Sequence, residues 1–259
     1  MQSALEIFLA GSVLAFMLTF VRIGTAIMMM PGLGDSFVSQ RIRLHMALGI
    51  SFVLFPIVMP YVPSPLPGTF ALFILVFSEF LIGLLIGTVA RIFMTALDTA
   101  GMVISMQSGL ANAQVFNPSL ASQGSLMGAF LSMSGVLLLL VLNLHHLLIM
   151  GVVESYKMFP MGDFPDTGSM AEIMARAVSA SFSVGVKLAT PFIVMTLLIY
   201  VGMGVLSRLM PQIQVFMLAL PLQILLAISL LMIVLMALLT SWAKHYEASL
   251  VSFFQAAGG

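Results

Sequence analysis

Residues 207–224 read SRLMPQIQVFMLALPLQI. Pro211 and Pro221 stand ten residues apart in it, with Gln212, Gln214 and Gln223 around them. A proline ring displaces the carbonyl four residues earlier, so Pro211 frees that of Ser207 and Pro221 that of Met217. The segment is expected to bend twice. Gln212 and Gln223 are eleven residues apart, close to three helical turns, and share a face, whereas Gln214 points away. Freed backbone and amides are tolerated against protein or water-filled space, not against lipid tails. The stretch therefore reads as the bent entry to a helical hairpin whose first arm is 177–201, placed at a protein interface or along a channel.

Lipid is the relevant solvent because the chain has little else to offer. Of its 259 residues 61% are hydrophobic and 7% charged, and the mean hydropathy is +1.18. Soluble domains carry about a quarter charged residues, so this is an integral membrane protein. Nine basic and nine acidic side chains cancel, which leaves no electrostatic case for nucleic acid. The absence of cysteine excludes disulfides and thiolate chemistry. The first apolar run, in MQSALEIFLAGSVLAF, has Glu6 and no basic leader before it, so a cleaved signal peptide is not expected.

A hydrocarbon core about 30 Å thick needs about 20 apolar residues as helix. Six blocks qualify: residues 5–30, 44–62, 69–97, 126–153, 177–201 and 213–242. None alternates as a barrel strand would, so the expected fold is all-α, a polytopic membrane protein of bent helical hairpins. A glycine-rich turn (31–43), a proline-stiffened corner (61–68) and a polar loop (156–176) separate the blocks. If all six blocks cross, Arg41, Arg43, Arg91 and Arg208 share one side and Lys157, Arg176 and Lys244 the other. That bias is too small to set orientation.

Few residues in the oil carry chemistry. Glu79, Gly83 and Gly87 recur at four-residue spacing in SEFLIGLLIG, a stripe along which another helix can approach closely. With no second acid nearby, Glu79 reads as a buried carboxylate bonded across a helix interface rather than as a proton relay. Arg22 has two open readings: a snorkelling side chain, or the partner of an acid such as Glu79. Lys187 lies four residues before Pro191; it reads as a snorkelling lysine, or as a substrate-site ammonium beside a freed carbonyl. His145 and His146 are adjacent and diverge by about 100° on a helix, so a shared metal is not expected. The 23 methionines, Met28, Met29 and Met30 among them, read as gap-filling side chains. No nucleophile-and-base pair, phosphate loop or dinucleotide fingerprint is present, and neither enzyme activity nor a cofactor is expected.

SMQSGLANAQVFNPSLASQG, residues 105–124, is polar but uncharged. Gly109, the Asn117-Pro118 pair and Gly124 interrupt helix. Leu110, Val115, Phe116 and Leu120 give it apolar surface. Such a segment is either a surface connection or an irregular element lining a cavity at membrane depth; the residues alone leave both open.

Four patterns stand in order: RxGxxxMxxPxxG…RxRLxxALxIS from Arg22 to Ser51, ExxxGxxxG at 79–87, AGxxISxQxGLAxAxxxNP from Ala100 to Pro118, and PQIQVFxxxxPLQI from Pro211 to Ile224. Together they resemble the FliR/SctT family of type III secretion export proteins over essentially the whole chain. Met210 and Ala219 depart from it, standing where a polar residue and a glycine are common. The resemblance implies one copy of this chain in an inner-membrane export gate of the flagellar basal body, with several copies of FliP and FliQ homologues, an FlhB homologue nearby, and unfolded flagellar subunits as cargo. It implies a FliP-like part at 1–153 and a FliQ-like hairpin within 154–259. It also implies that 105–124 is a pore plug, carried by Gly109, Leu110, Val115, Phe116, Asn117, Pro118 and Leu120. Arg22, Glu79, Gly83, Gly87, Pro211, Gln212, Pro221 and Gln223 are then helix-interface residues. The competing expectation is a secondary transporter or ion channel using Glu79 and Lys187. Transporters match broken helices in both halves, whereas the breaks at Pro191, Pro211 and Pro221 all fall in the last third.

Overall fold

A computed structural model describes residues 4–62, 68–111, 125–162, 164–210 and 215–256; for 4–10, 215–218 and 256 the description is of backbone alone. Pro211, Gln212 and Gln214, and the plug residues Val115, Phe116, Asn117, Pro118 and Leu120, lie outside the described residues. Every regular element among those described is helical: α1 (Ala4–Met29), α2 (Gln40–Val58) with a 3-10 turn at Met59–Tyr61, α3 (Thr69–Gln107), α4 (Leu126–Val141), α5 (Leu144–Met158), α6 (Thr167–Leu209) and α7 (Val215–Ala256). Five are long and apolar enough to cross a membrane, or six if the broken pair α4 and α5 counts as one span. The chain is an all-α polytopic membrane protein.

Three boundaries differ from those expected. The block 126–153 is broken rather than continuous, because Asn143 takes a left-handed conformation with φ of 57°, one that asparagine adopts more readily than an apolar residue does. The polar loop is shorter than 156–176, since α6 already starts at Thr167. Asp166 caps it: its carboxylate accepts from the Gly168 and Ser169 N–H groups at 3.1 Å each and from the Ser169 hydroxyl at 2.6 Å. Finally, α3, α6 and α7 run to 39, 43 and 42 residues. At 1.5 Å per residue, α6 is about 64 Å long, twice a hydrocarbon core. Hydropathy marks where a helix turns polar, not where it stops. α6 ends at Leu209 and α7 starts at Val215, with Pro211 among the residues between them that are not described, while Pro221 and Pro191 lie inside helix.

The chain forms two compact units interleaved in sequence. The first comprises Met1–Phe93, Leu139–Val178 and Glu247–Gly259. In it α1 packs on α2 and α5. Leu14, Leu18, Val58, Leu75, Tyr156 and Met161 form a core, and the Phe16 ring meets Phe52 and Phe55 edge-on at 6.4 and 6.1 Å.

The second unit comprises Met94–Leu138 and Ser179–Tyr246. Its centre is α3, which α4 meets where Gly101 and Gly128 touch backbone to backbone. α6 meets α3 at Gly185, where a Cβ would lie 2.8 Å from both the Ala96 carbonyl and the Thr99 Cβ. The hydroxyls of Thr95 and Ser181 are 3.2 Å apart. These pairings advance together in sequence, so α3 and α6 run in the same direction.

Two outcomes are expected. Gly101→Leu places a branched side chain on backbone that cannot yield, and overpacking of this kind costs about 1–3 kcal/mol or more. Thermal unfolding of the detergent-purified variant should show it, whereas Gly202→Leu, with open space around it, should melt like the parent. The α6 cap gives a pH dependence: hydrogen bonds to Ser169 and the Gly168 N–H hold the Asp166 carboxyl below the usual aspartate range. A depressed carboxylate stabilises fully above the unfolded pKa and loses that stabilisation as pH falls through the folded one. The protection of the first-turn amides of α6, taken relative to the intrinsic exchange rate at each pH, should therefore fall in acid in the parent, and Asp166→Ala should remove that acid limb.

Candidate functional site

Among the described residues, the first unit holds the most concentrated polar chemistry. α1 carries Arg22 and α3 carries Glu79, and both side chains are wholly buried. Arg22 Nε donates to Glu79 Oε2 at 2.6 Å and Nη2 to Oε1 at 2.8 Å, a two-pronged pair. Two further donors are used: Nη1 bonds the Ser155 hydroxyl at 3.1 Å and Nη2 the Phe159 carbonyl at 3.0 Å. The guanidinium lies over the Tyr156 ring with Cζ 3.9 Å from its centroid, a cation–π contact. One side chain thus joins α1, α3, α5 and the turn after α5.

The glycines explain how the helices come close enough. A Cβ on Gly83 would strike the Thr25 hydroxyl and the Arg22 carbonyl; one on Gly87 would lie 2.6 Å from Met29 Cβ and 2.7 Å from the Ala26 carbonyl. Residues 79, 83 and 87 of α3 follow 22, 25 and 29 of α1, so these helices also run in parallel. The stripe has a fourth step that the sequence reading missed. Arg91 donates from Nε to the Met29 carbonyl at 2.9 Å and from Nη2 to Asp35 at 2.7 Å. The other Asp35 oxygen accepts the Gly32 N–H at 2.7 Å, and Arg43 bonds the Val38 and Gly34 carbonyls at 3.1 and 3.2 Å. The glycine-rich turn after α1 is thereby tied to α3. The available signal was the spacing 79, 83, 87, 91.

Both Glu79 oxygens are held by one guanidinium out of reach of water, an arrangement suited to fixing helices and not to passing protons. Lys187 is exposed on α6. In the second unit Gln223 is 4% exposed and donates to the carbonyl of Gln107, the last residue of α3, at 2.5 Å. The same oxygen accepts the Thr196 hydroxyl at 3.0 Å. Gly109 follows in a left-handed conformation, φ 75°, and Leu110 is half-buried. The adjacent rings of His145 and His146 have centroids 4.2 Å apart.

Long apolar helices braced by one enclosed ion pair define a non-soluble, polytopic helical protein. Residues 13–249 match the family described as bacterial export proteins, family 1, and the chain belongs to that family. It is similar to the flagellar biosynthetic protein FliR of Caulobacter vibrioides, with 41% identity covering 91% of this chain and 94% of that protein. It is 30% identical to the FliR of Bacillus subtilis over 85% of each chain. Yop proteins translocation protein T of Yersinia pestis is 28% identical over 78% of each.

Arg22→Ala strands a buried carboxylate, and breaking a buried pair in this way costs about 3–5 kcal/mol. Glu79→Gln keeps the size but leaves the guanidinium without a counter-charge, and should also melt well below the parent. The double variant Arg22→Met, Glu79→Leu removes both charges and should recover much of the loss of either single change. Thermal unfolding of the four purified proteins checks this.

Proposed function

We propose that this chain is a non-enzymatic core subunit of the type III protein export gate. With FliP and FliQ homologues, and an FlhB homologue beside it, it forms the inner-membrane pore of the flagellar basal body through which unfolded flagellar subunits leave. The observation that carries this reading is full-length similarity to proteins named FliR. The proposal retains a FliP-like part at 1–153 and a FliQ-like part at 154–259, for which the hairpin of α6 and α7 is the support. Pro211, Gln212 and Pro221 are proposed to contact a neighbouring subunit at the tip of that hairpin. A transporter coupled through Glu79 would require a carboxylate that water reaches, and the enclosure by Arg22 argues against it.

Residues 105–124 are proposed to plug the pore. The support lies in their described ends. The Ser105 and Ser125 hydroxyls are 2.7 Å apart, and Ser125 also bonds the Gly101 carbonyl at 3.0 Å. The connection therefore leaves and returns at one place, and a deletion confined to 110–122 spares the end of α3 and the Gln107 carbonyl that α6 and α7 bond.

Co-purification of the tagged full-length chain with FliP and FliQ homologues from flagellated cells tests the assembly. A chain recovered alone and monodisperse from those membranes would overturn it. For the plug, deleting 110–122, or Phe116→Ser, should leave the complex assembled but raise membrane conductance and sensitivity to small solutes. An assembled deletion as tight as the parent would remove the plug assignment.

A further inference from the structure

On the second-unit part of α6, Ser181, Gly185, Ala189, Phe192 and Thr196 form an inward stripe. Three of them touch α3, through Ser181, Gly185 and Thr196. The opposite stripe, Ala180, Ser183, Lys187, Thr190, Val194 and Leu197, is exposed. Lys187 is at its centre, and it is the one charged side chain between Arg176 and Arg208.

The surroundings of Lys187 make a polar island in an apolar stripe. Ser183 lies one turn before it and Thr190 one turn after, all on the outer face. Thr190 donates its hydroxyl to the Val186 carbonyl at 3.2 Å, leaving only acceptor capacity outward. Pro191 has no N–H, so the Lys187 carbonyl lacks its helical donor. An ammonium and an unpaired carbonyl thus share one place, flanked by Val194 at 50% and Leu197 at 62% exposure. Lipid tails satisfy neither group. A helix of another protein can present a carboxylate together with a donor, and seat its apolar side chains on the flanks.

We propose that the Lys187 face of α6 docks an apolar helix of a neighbouring membrane subunit, with an aspartate or glutamate of that helix paired to Lys187. This rests on the proposed function and specifies one contact within it. The charge decides the occupant's chemistry, since an ionisable group at such a place is normally paired. Truncating one partner of an enclosed pair weakens binding by more than about tenfold.

The test uses membranes of cells carrying the full-length tagged chain. A membrane-permeant carbodiimide joins an amine to a carboxylate only when the two are in contact. The expected product is an amide between Lys187 and an acidic residue inside an apolar segment of another integral membrane protein. Lys187→Arg should abolish that product while preserving assembly, because a guanidinium keeps the charge but does not couple. Lys187→Met should abolish it and lower co-purification more than about tenfold. Coupling to a phospholipid, to an acid of this same chain or to a soluble protein overturns the contact. So does absence of the amide, whatever Lys187→Met does. If the chain still co-purifies with its neighbours in those cases, the export-gate reading stands and only this contact fails.

Discussion

The Arg22–Glu79 pair sets the terms for the helices around it. Two charges without water are tolerable only when they are paired and hydrogen-bonded, because the desolvation cost is several kcal/mol per ion even after relaxation. That demand fixes register. Sliding α1 one turn along α3 would set Glu79 against Leu18 and Arg22 against Gly83, leaving both charges stranded. The neighbouring contacts obey the same register: Thr25 and the Arg22 carbonyl fill the space that Gly83 leaves, and Met29 and Ala26 the space at Gly87. Apolar side chains alone would allow several such alignments at similar energy, as lipid tails give no penalty for a shifted interface. The ion pair removes that degeneracy, and its value lies more in specifying one arrangement than in net stability.

The apolar surface follows a different logic. Met232, Ile233 and Met236 on α7 are 77%, 79% and 73% exposed, and the α6 face carries Leu197, Leu198 and Val201 in the same state. Continuous apolar surface on this scale marks a membrane or protein interface. Helices twice the thickness of a hydrocarbon core cannot hide all of it in lipid. Part of the apolar face therefore needs cover other than lipid tails.

How much of this was legible in the sequence depended on whether the cause was local. The glycine stripe was readable because its period is helical. The break at Asn143 was not, since a single asparagine in VLLLLVLNLHHLL changes hydropathy little and acts through its dihedral angles. The full length of α6 was hidden for a related reason: TGSMAEIMAR is polar, yet Asp166 caps it and nothing in it stops a helix. Asp35 and Arg91 are 56 residues apart, and neither spacing nor composition joins them. Which of the two readings of Arg22 holds also required the fold, because snorkelling and pairing leave the same mark in a sequence.

Gln223 carries this lesson furthest. In the sequence it shares a face with Gln212, and an amide in oil suggests contact with another chain. In the fold its amide is already engaged by the Gln107 carbonyl, together with the Thr196 hydroxyl. The reason lies at the end of α3. The last four carbonyls of a helix have no intrahelical donor, and within an apolar assembly water does not replace one. The left-handed Gly109 lets the chain fold back, so that its own N–H serves the Met106 carbonyl and that of Ala111 the Ser105 carbonyl. The Gln107 carbonyl points elsewhere and must be met from outside the helix, which α6 and α7 do with one side chain each. The polar residues of the hairpin are thus placed by the needs of a backbone terminus far away in sequence. A glutamine in an apolar helix is a demand for a partner, and the fold alone says whether that partner is the same chain or another.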